Sequence, residues 1–259
     1  MNQEERRRFL IEELLRERLS CRRQEIPADT DRQKVLLRSL MNVRHPGAIS
    51  QRFLEVQDAY LQGELAAKKI TRLSELSPLQ NGIYLWRGDI TTLDCGAIVN
   101  AANSGMTGCY QPCHNCIDNC IHTYAGVQLR LKCAEIMERQ GFEEPTGQAK
   151  ITPAYNLPCD YVIHTVGPIV QGKLTRQHCK LLESRYRSCL TLADENQVPS
   201  IAFCCISTGV FMFPNDKAAE IAVRTVQEYK AETGSKIEVI FNVFKEQDER
   251  IYSKLLRAD

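Results

Sequence analysis

Residues 100–126, NAANSGMTGCYQPCHNCIDNCIHTYAG, follow the apolar run Ala97, Ile98, Val99, which reads as a strand, and lead into a segment that reads as a helix. They hold four of the chain's twelve cysteines, two of its five histidines and the carboxylate of Asp118. A hydrophobic core needs no such density of metal-ligand chemistry. Cys109, His114 and Cys116 form C-x4-H-x-C, two soft thiolates and one imidazole close enough in sequence to converge on a tetrahedral ion, with zinc the natural occupant. Three protein ligands leave a fourth position for water or substrate, the arrangement of a catalytic site. The spacing also admits other readings. Cys113, Cys116 and Cys120 with Cys109 would close an all-thiolate structural site, Cys113 and Cys116 form a C-x-x-C redox pair, and all of them have the alternative of being ordinary buried thiols.

Outward from this stretch, the chain alternates strands and helices after the turn at Ser77-Pro78. Residues 83–86, 97–99, 149–152 and 161–166 read as strands, 201–206 as a buried strand and 237–244 as the strand that closes the sheet. Residues 117–140 read as one long helix, with further helices over 186–196 and 217–233 and a last one ending near Leu256. Such alternation predicts an α/β fold with a mixed, largely parallel sheet covered on both faces. In that architecture ligands bind at the carboxyl ends of strands, which is where the polar motifs fall.

The first eighty residues have a different pattern. Phe9, Leu10, Leu14, Leu15 and Leu19 form one apolar stripe at helical spacing, Val35, Leu36, Leu37, Leu40 and Met41 a second, and Phe53, Val56, Tyr60, Leu61 and Leu65 a third. These helices carry no cluster of reactive groups. The expected organisation is therefore a helical extension over residues 1–80 packed as a cap on a main domain over residues 81–259.

With 259 residues, 43% hydrophobic and 25% charged, the chain can bury one large core and a small appendage. Its formal net charge of +1 argues against a nucleic-acid-binding surface. No apolar run approaches the ~18 residues of a membrane span, and the charged start MNQEERRRFL is unlike a secretory signal. A cytoplasmic location follows as the expectation, where thiols stay reduced and free to bind metal.

Three motifs stand at strand ends: Arg87-Gly88-Asp89-Ile90-Thr91, Asn100-Ala101-Ala102-Asn103 and Ser207-Thr208-Gly209-Val210-Phe211. Together they resemble the macrodomain, an ADP-ribose-binding three-layer α/β/α fold with a mixed central sheet. The insertion GCYQPCHNCIDNCIH resembles that of its zinc-dependent hydrolase branch. The likeness covers residues 82–257, and the helical preface, including FLEVQDAYL, resembles the N-terminal extension of that branch.

The resemblance implies Zn2+ on Cys109, His114 and Cys116, and adenine recognition by the Asp89 carboxylate and the Ile90 amide, with Phe244 packed on the ring. Ser207, Thr208, Gly209, Val210 and Phe211 would hold the diphosphate through backbone amides at a helix N-terminus, without Lys or Arg. Asn103 would sit at the distal ribose, and Asp118 would act as general base or orient that ribose. The implied activity is removal of mono-ADP-ribose from protein side chains, ester-linked to Asp or Glu; the alternative is an ADP-ribose-binding reader with a structural zinc. Implied partners are ADP-ribose, the mono-ADP-ribosylated protein, a sirtuin-type ADP-ribosyltransferase and a carrier protein.

Two departures from the family pattern concern loop detail. Cys113 and Cys120 stand where cysteine is not expected, which keeps the closed site open as a reading, and Met212 stands where the phosphate loop commonly has glycine. Asn100 reads as structural and His122 as a core histidine with Asp118 one turn away. His45, His164 and His178 have no cysteine or acidic partners arranged around them in sequence and read as structural or surface groups.

Overall fold

The computed structural model describes residues 1–18, 25–170, 172–206 and 212–257. Three helices come first, α1 (Gln3–Glu17), α2 (Thr30–Val43) and α3 (Gln51–Ala66), each starting where the sequence supplies a cap. Asn2 and Glu5 form a capping box on α1, Asp29 accepts from the amide of Arg32, and Ser50 accepts from that of Phe53. Their stripes meet in an apolar cluster of their own, built on Leu10, Leu14, Leu37, Leu40, Phe53, Val56 and Tyr60. Val127, from the main body, joins it. Val35 departs from the expected stripe and is 59% exposed, while Leu19 lies outside the described residues.

A short parallel pair, β1 (Thr71–Arg72) and β3 (Leu93–Asp94), leads to a six-stranded sheet. Its strands are β2 (Ile83–Arg87), β4 (Ala97–Ala102), β5 (Ala149–Pro153), β6 (Tyr161–Val166), β7 (Ser200–Phe203) and β8 (Glu238–Val243). They lie in the order β2-β8-β7-β4-β6-β5, parallel throughout except for the antiparallel pair β5 and β6. The central strands are apolar on both faces, as a sheet covered on both sides requires, with Ile98, Val99, Val162, Ile163, Ile201, Val239 and Ile240 all at the floor of exposure. The covering helices are α4 (Ile117–Ala125), α5 (Val127–Gln140), α6 (Arg176–Glu195), α7 (Asn215–Thr233) and α8 (Glu246–Arg257). Helices α6, α7 and α8 pack side by side, and α4 packs with α5 and with α2, giving the expected three-layer α/β/α sandwich with its helical preface.

Several boundaries differ from the sequence reading. The predicted single helix over 117–140 is two helices, because Gly126 between them has φ +96°, a conformation that a residue with a Cβ rarely adopts. Helix α6 begins at Arg176 rather than Tyr186, and β7 ends at Phe203 rather than Ile206. Among the described residues no helix is long and apolar enough to cross a membrane.

The topology places a ligand crevice. After β4 the chain builds β5 and β6 on one side and then crosses to β7 on the other, so the connections diverge above the carboxyl ends of β4 and β7. Divergent connections leave an opening there.

Candidate functional site

The loop that leaves β4 returns to the body as α4, and its three predicted ligands come together. The Sγ atoms of Cys109 and Cys116 and a ring nitrogen of His114 all lie within 4.8 Å of one another, half-buried, with Cys109 Sγ 3.6 Å from His114 Nδ1. Cys116 is the N-cap of α4, and its sulfur accepts from the Asn119 amide at 3.4 Å. Burial pushes its thiol up to about 12, opposed by that amide and reinforced by the charges of Cys109 and Asp118. The donor set suits a divalent cation: soft sulfur and imidazole nitrogen converge, and the thiolate disfavoured in the bare loop is the form a cation would neutralise. Cys113 and Cys120 are not in this group. Cys113, at φ +53°, turns its sulfur to the Val35 carbonyl on α2 at 3.5 Å, and the Cys120 sulfur lies 3.7 Å from the Arg38 guanidinium. Of the readings left open by spacing, this geometry supports the three-ligand one.

Beneath the loop a line of hydrogen bonds runs from the surface into the sheet. Asp118 is 5% exposed and accepts from Asn100 Nδ2 at 2.8 Å on one oxygen and from Asn103 Nδ2 at 3.2 Å on the other. Burial lifts its carboxyl to about 6, against the Asn100 hydrogen bond, the Arg130 charge and the Asn103 hydrogen bond. Asn103 is exposed; its Nδ2 also reaches the Gly108 carbonyl, and its Oδ1 accepts from the Gly105 amide. Asn100 lies 3.1 Å from His164 Nδ1, and His164 Nε2 lies 3.0 Å from Thr152 Oγ1. With Asn100 Nδ2 donating, His164 carries its proton on Nε2 and gives it to Thr152.

His164 is thus a fully buried member of this line, not a surface group, and Cys133 Sγ stands 3.8 Å from it. His122 is buried with Nε2 3.6 Å from Asp118, and burial holds its pKa well below the ordinary value, as a core histidine requires. His45 stacks on Tyr110 and His178 completes the cap of α6, so both are structural.

The other end of the crevice carries the predicted base-binding groups. Asp89 caps a short 3-10 turn that starts at Ile90: its Oδ1 accepts from both the amide and the hydroxyl of Thr91, at 3.0 and 2.7 Å. The register pairs Arg87 with Val243, so Asp89 and Phe244 leave the sheet on adjacent strands at the same end. Phe244 is 77% exposed. Gly88 is needed beside them, since a Cβ there would meet the Trp86 ring at 2.3 Å. Ser207, Thr208, Gly209, Val210 and Phe211 lie outside the described residues.

No motif pointed to Arg38 and Asn42 of α2, to Asn119 or to Arg130, all of which touch the loop or its supports. Arg130 Nη1 donates to the carbonyls of Met41, Asn42 and Arg44, the open end of α2, while its guanidinium lies 4.5 Å over the Tyr110 ring. Arg38, Asn42 and Arg130 reach partners more than seventy positions away, and Asn119, though only eight and ten positions from the carbonyls it holds, stands in a run whose cysteines and histidines draw the eye first.

Comparisons with known proteins fit this geometry. A family model described as Macro domain matches residues 99–222. A protein-ADP-ribose hydrolase of Treponema medium is 63% identical over 260 residues, covering 99% of this chain and 100% of that one. A protein-ADP-ribose hydrolase of Staphylococcus aureus strain MSSA476 is 49% identical, covering 97% and 95%. Among solved structures, the Trypanosoma brucei macrodomain in complex with ADP-ribose superposes with a TM-score of 0.66 at 30% identity, covering 84% of this chain and 94% of that one.

Proposed function

As this chain belongs to the macrodomain family, we propose that it is a protein-ADP-ribose hydrolase whose turnover depends on zinc held by Cys109, His114 and Cys116. The coarse activity rests on full-length similarity to hydrolases from two organisms. The single observation that carries the metal-dependent form is the convergence of those three donor atoms beside the line from Asp118 to Asn103.

The substrate is a protein side chain bearing one ADP-ribose through the anomeric carbon of the distal ribose, as an ester of Asp or Glu. Phe244 offers an exposed ring for the adenine to stack on. Asp89 Oδ1 is occupied by Thr91, which aims the carboxylate and leaves its second oxygen for the adenine amino group. The amide of Ile90 supports the same base, and the amides of Ser207 to Phe211 hold the diphosphate at the start of α7.

Both amide hydrogens of Asn103 are committed, to Asp118 and to Gly108, so its exposed Oδ1 meets the ribose as a hydrogen-bond acceptor. Asp118 orients that amide from below, and its high pKa suits it to take a proton during hydrolysis. Zinc, when bound, supplies a Lewis acid for a substrate oxygen or a water of lowered pKa. An enzyme that removes mono-ADP-ribose implies a transferase that adds it, here read as sirtuin-type, with a carrier protein as acceptor.

The test uses purified protein on a mono-ADP-ribosylated protein with Asp and Glu esters, as isolated, after chelation, and after zinc is restored. Release of free ADP-ribose that disappears with chelator and returns with zinc is expected. Tight ADP-ribose binding with no release in any arm makes the protein a reader, and release indifferent to chelator removes zinc from the reaction.

A further inference from the structure

The Cys/His loop does not hold its own shape. Residues 109–116 make few backbone hydrogen bonds within the loop, of which His114 to the Gln111 carbonyl, at 3.3 Å, is one. Four of its backbone groups, the carbonyls of Cys109, Gln111 and His114 and the amide of Cys113, are held by side chains from two helices. Asn119 of α4 donates to the carbonyls of Cys109 and Gln111, at 3.3 and 3.0 Å. Arg38 of α2 donates to the His114 carbonyl at 2.7 Å and to Asn119 Oδ1 at 3.1 Å, so one guanidinium nitrogen serves both the loop and the residue that grips its other end. Asn42, one turn further along α2 and 1% exposed, accepts from the Cys113 amide at 2.9 Å and donates to Thr123 Oγ1 at 2.8 Å. Thr123 in turn donates to the Asn119 carbonyl at 2.6 Å. The side chains at i and i+4 of α2 thus face one target, as a helix allows.

We propose that Arg38 and Asn42 are positioning residues of the metal centre, and that α2 of the N-terminal extension is a working part of the site and not only a cap. This rests on the proposed ligand set of Cys109, His114 and Cys116. Arg38 fixes the carbonyl of a ligand residue itself, and Asn42 fixes the amide of Cys113, whose positive φ lets the chain turn between His114 and Cys109. Removing either frees loop backbone that no neighbouring main chain can recapture. The three donor atoms then spend less time converged, and the metal leaves faster. Groups of this kind around metal ligands typically change affinity by about 10–100-fold.

The experiment compares full-length wild type with Arg38→Ala and Asn42→Ala on four readouts: amide exchange of residues 109–116 in metal-free protein, zinc loss to a chelator, thermal unfolding, and ADP-ribose binding. Expected in each variant are loop exchange faster by about 10-fold, zinc loss faster by about 10–100-fold and ADP-ribose affinity within about twofold. Wild-type exchange and wild-type zinc loss in both variants would overturn the proposal, as would acceleration spread evenly over all elements, which marks general destabilisation. Where an alanine variant does not fold, Arg38→Lys and Asn42→Leu keep most of the volume while dropping the guanidinium fork and the acceptor for the Cys113 amide, with at least about a threefold effect on the same readouts. Should wild type bind no zinc, the ligand assignment fails, and loop exchange in the metal-free chains decides the role of α2 alone.

Discussion

Phe244 and His164 stand at opposite extremes of exposure, and each carries a distinct expectation. Because Phe244 is 77% exposed at the end of β8, Phe244→Ala removes no core packing. The variant should keep its melting temperature and its kcat while the Kd for ADP-ribose rises about tenfold, the scale of one lost base stack, as read by calorimetry. His164 is fully buried, and burial lowers its pKa to about 3, below the ~6.5 of an unfolded chain. The folded form therefore resists the proton that the unfolded form accepts. Stability from this residue is complete above pH 6.5 and is lost progressively as pH falls from there towards 3. Urea unfolding at pH 7 and pH 5 should differ by about 1–2 kcal/mol on this account, and His164→Gln should show a smaller difference. At this scale the sequence pointed to Cys109, His114 and Cys116, whose donor atoms the fold brings together, because a dense local run of Cys and His has few other uses. It did not reveal that His164 and Asn100 support Asp118, since strand neighbours sixty-four positions apart leave no mark on local pattern.

Gly126 shows how a single position divides an element. It has φ +96° and ψ 174°, and an added Cβ would stand 2.6 Å from the side-chain ends of Gln57 and Gln128. Gln57 of α3 uses that proximity to accept from the Val127 amide at 3.0 Å, which satisfies an open donor at the start of α5. Gly126→Ala should destabilise the protein by about 1–3 kcal/mol in denaturant unfolding without touching the proposed ligands. The glycine was visible inside the apolar run that read as one helix, yet apolar spacing continues across it. Helix α6 was read too short for the converse reason. Its first half contains Arg185, a charge buried in the core, and Leu182 is the main apolar residue to mark the inner face there. All six strands of the main sheet were found, because the alternative to a short apolar run between polar ends is narrow. Residues 97–99 fell short of β4, 201–206 overran β7, and the two-residue strands β1 and β3 carry no pattern to read.

Across the whole molecule the two apolar clusters meet at Val127, while the loop with the proposed ligands is supported from both sides of that junction. Metal held there stabilises the folded chain in proportion to its excess over the Kd, by about 2.7 kcal/mol at a hundredfold excess. Chelation should lower the melting temperature by about 5–10 °C for a chain of this size, with recovery on adding zinc, by scanning calorimetry. The three-layer architecture was legible because alternation of period and turn signals is a chain-wide property. The dependence of the loop on α2 was not, because it joins residues about eighty positions apart through polar contacts that have no periodicity. The line from Thr152 through His164, Asn100 and Asp118 to Asn103 has a further consequence for anyone seeking to toughen this protein. Both nitrogens of His122, packed beside Asp118, are buried without a hydrogen-bond partner, a penalty that an apolar substitute there would relieve. Selection for heat resistance alone should therefore converge on this interior position first, and the hardened variants, with Asp118 repacked, should prove sluggish catalysts.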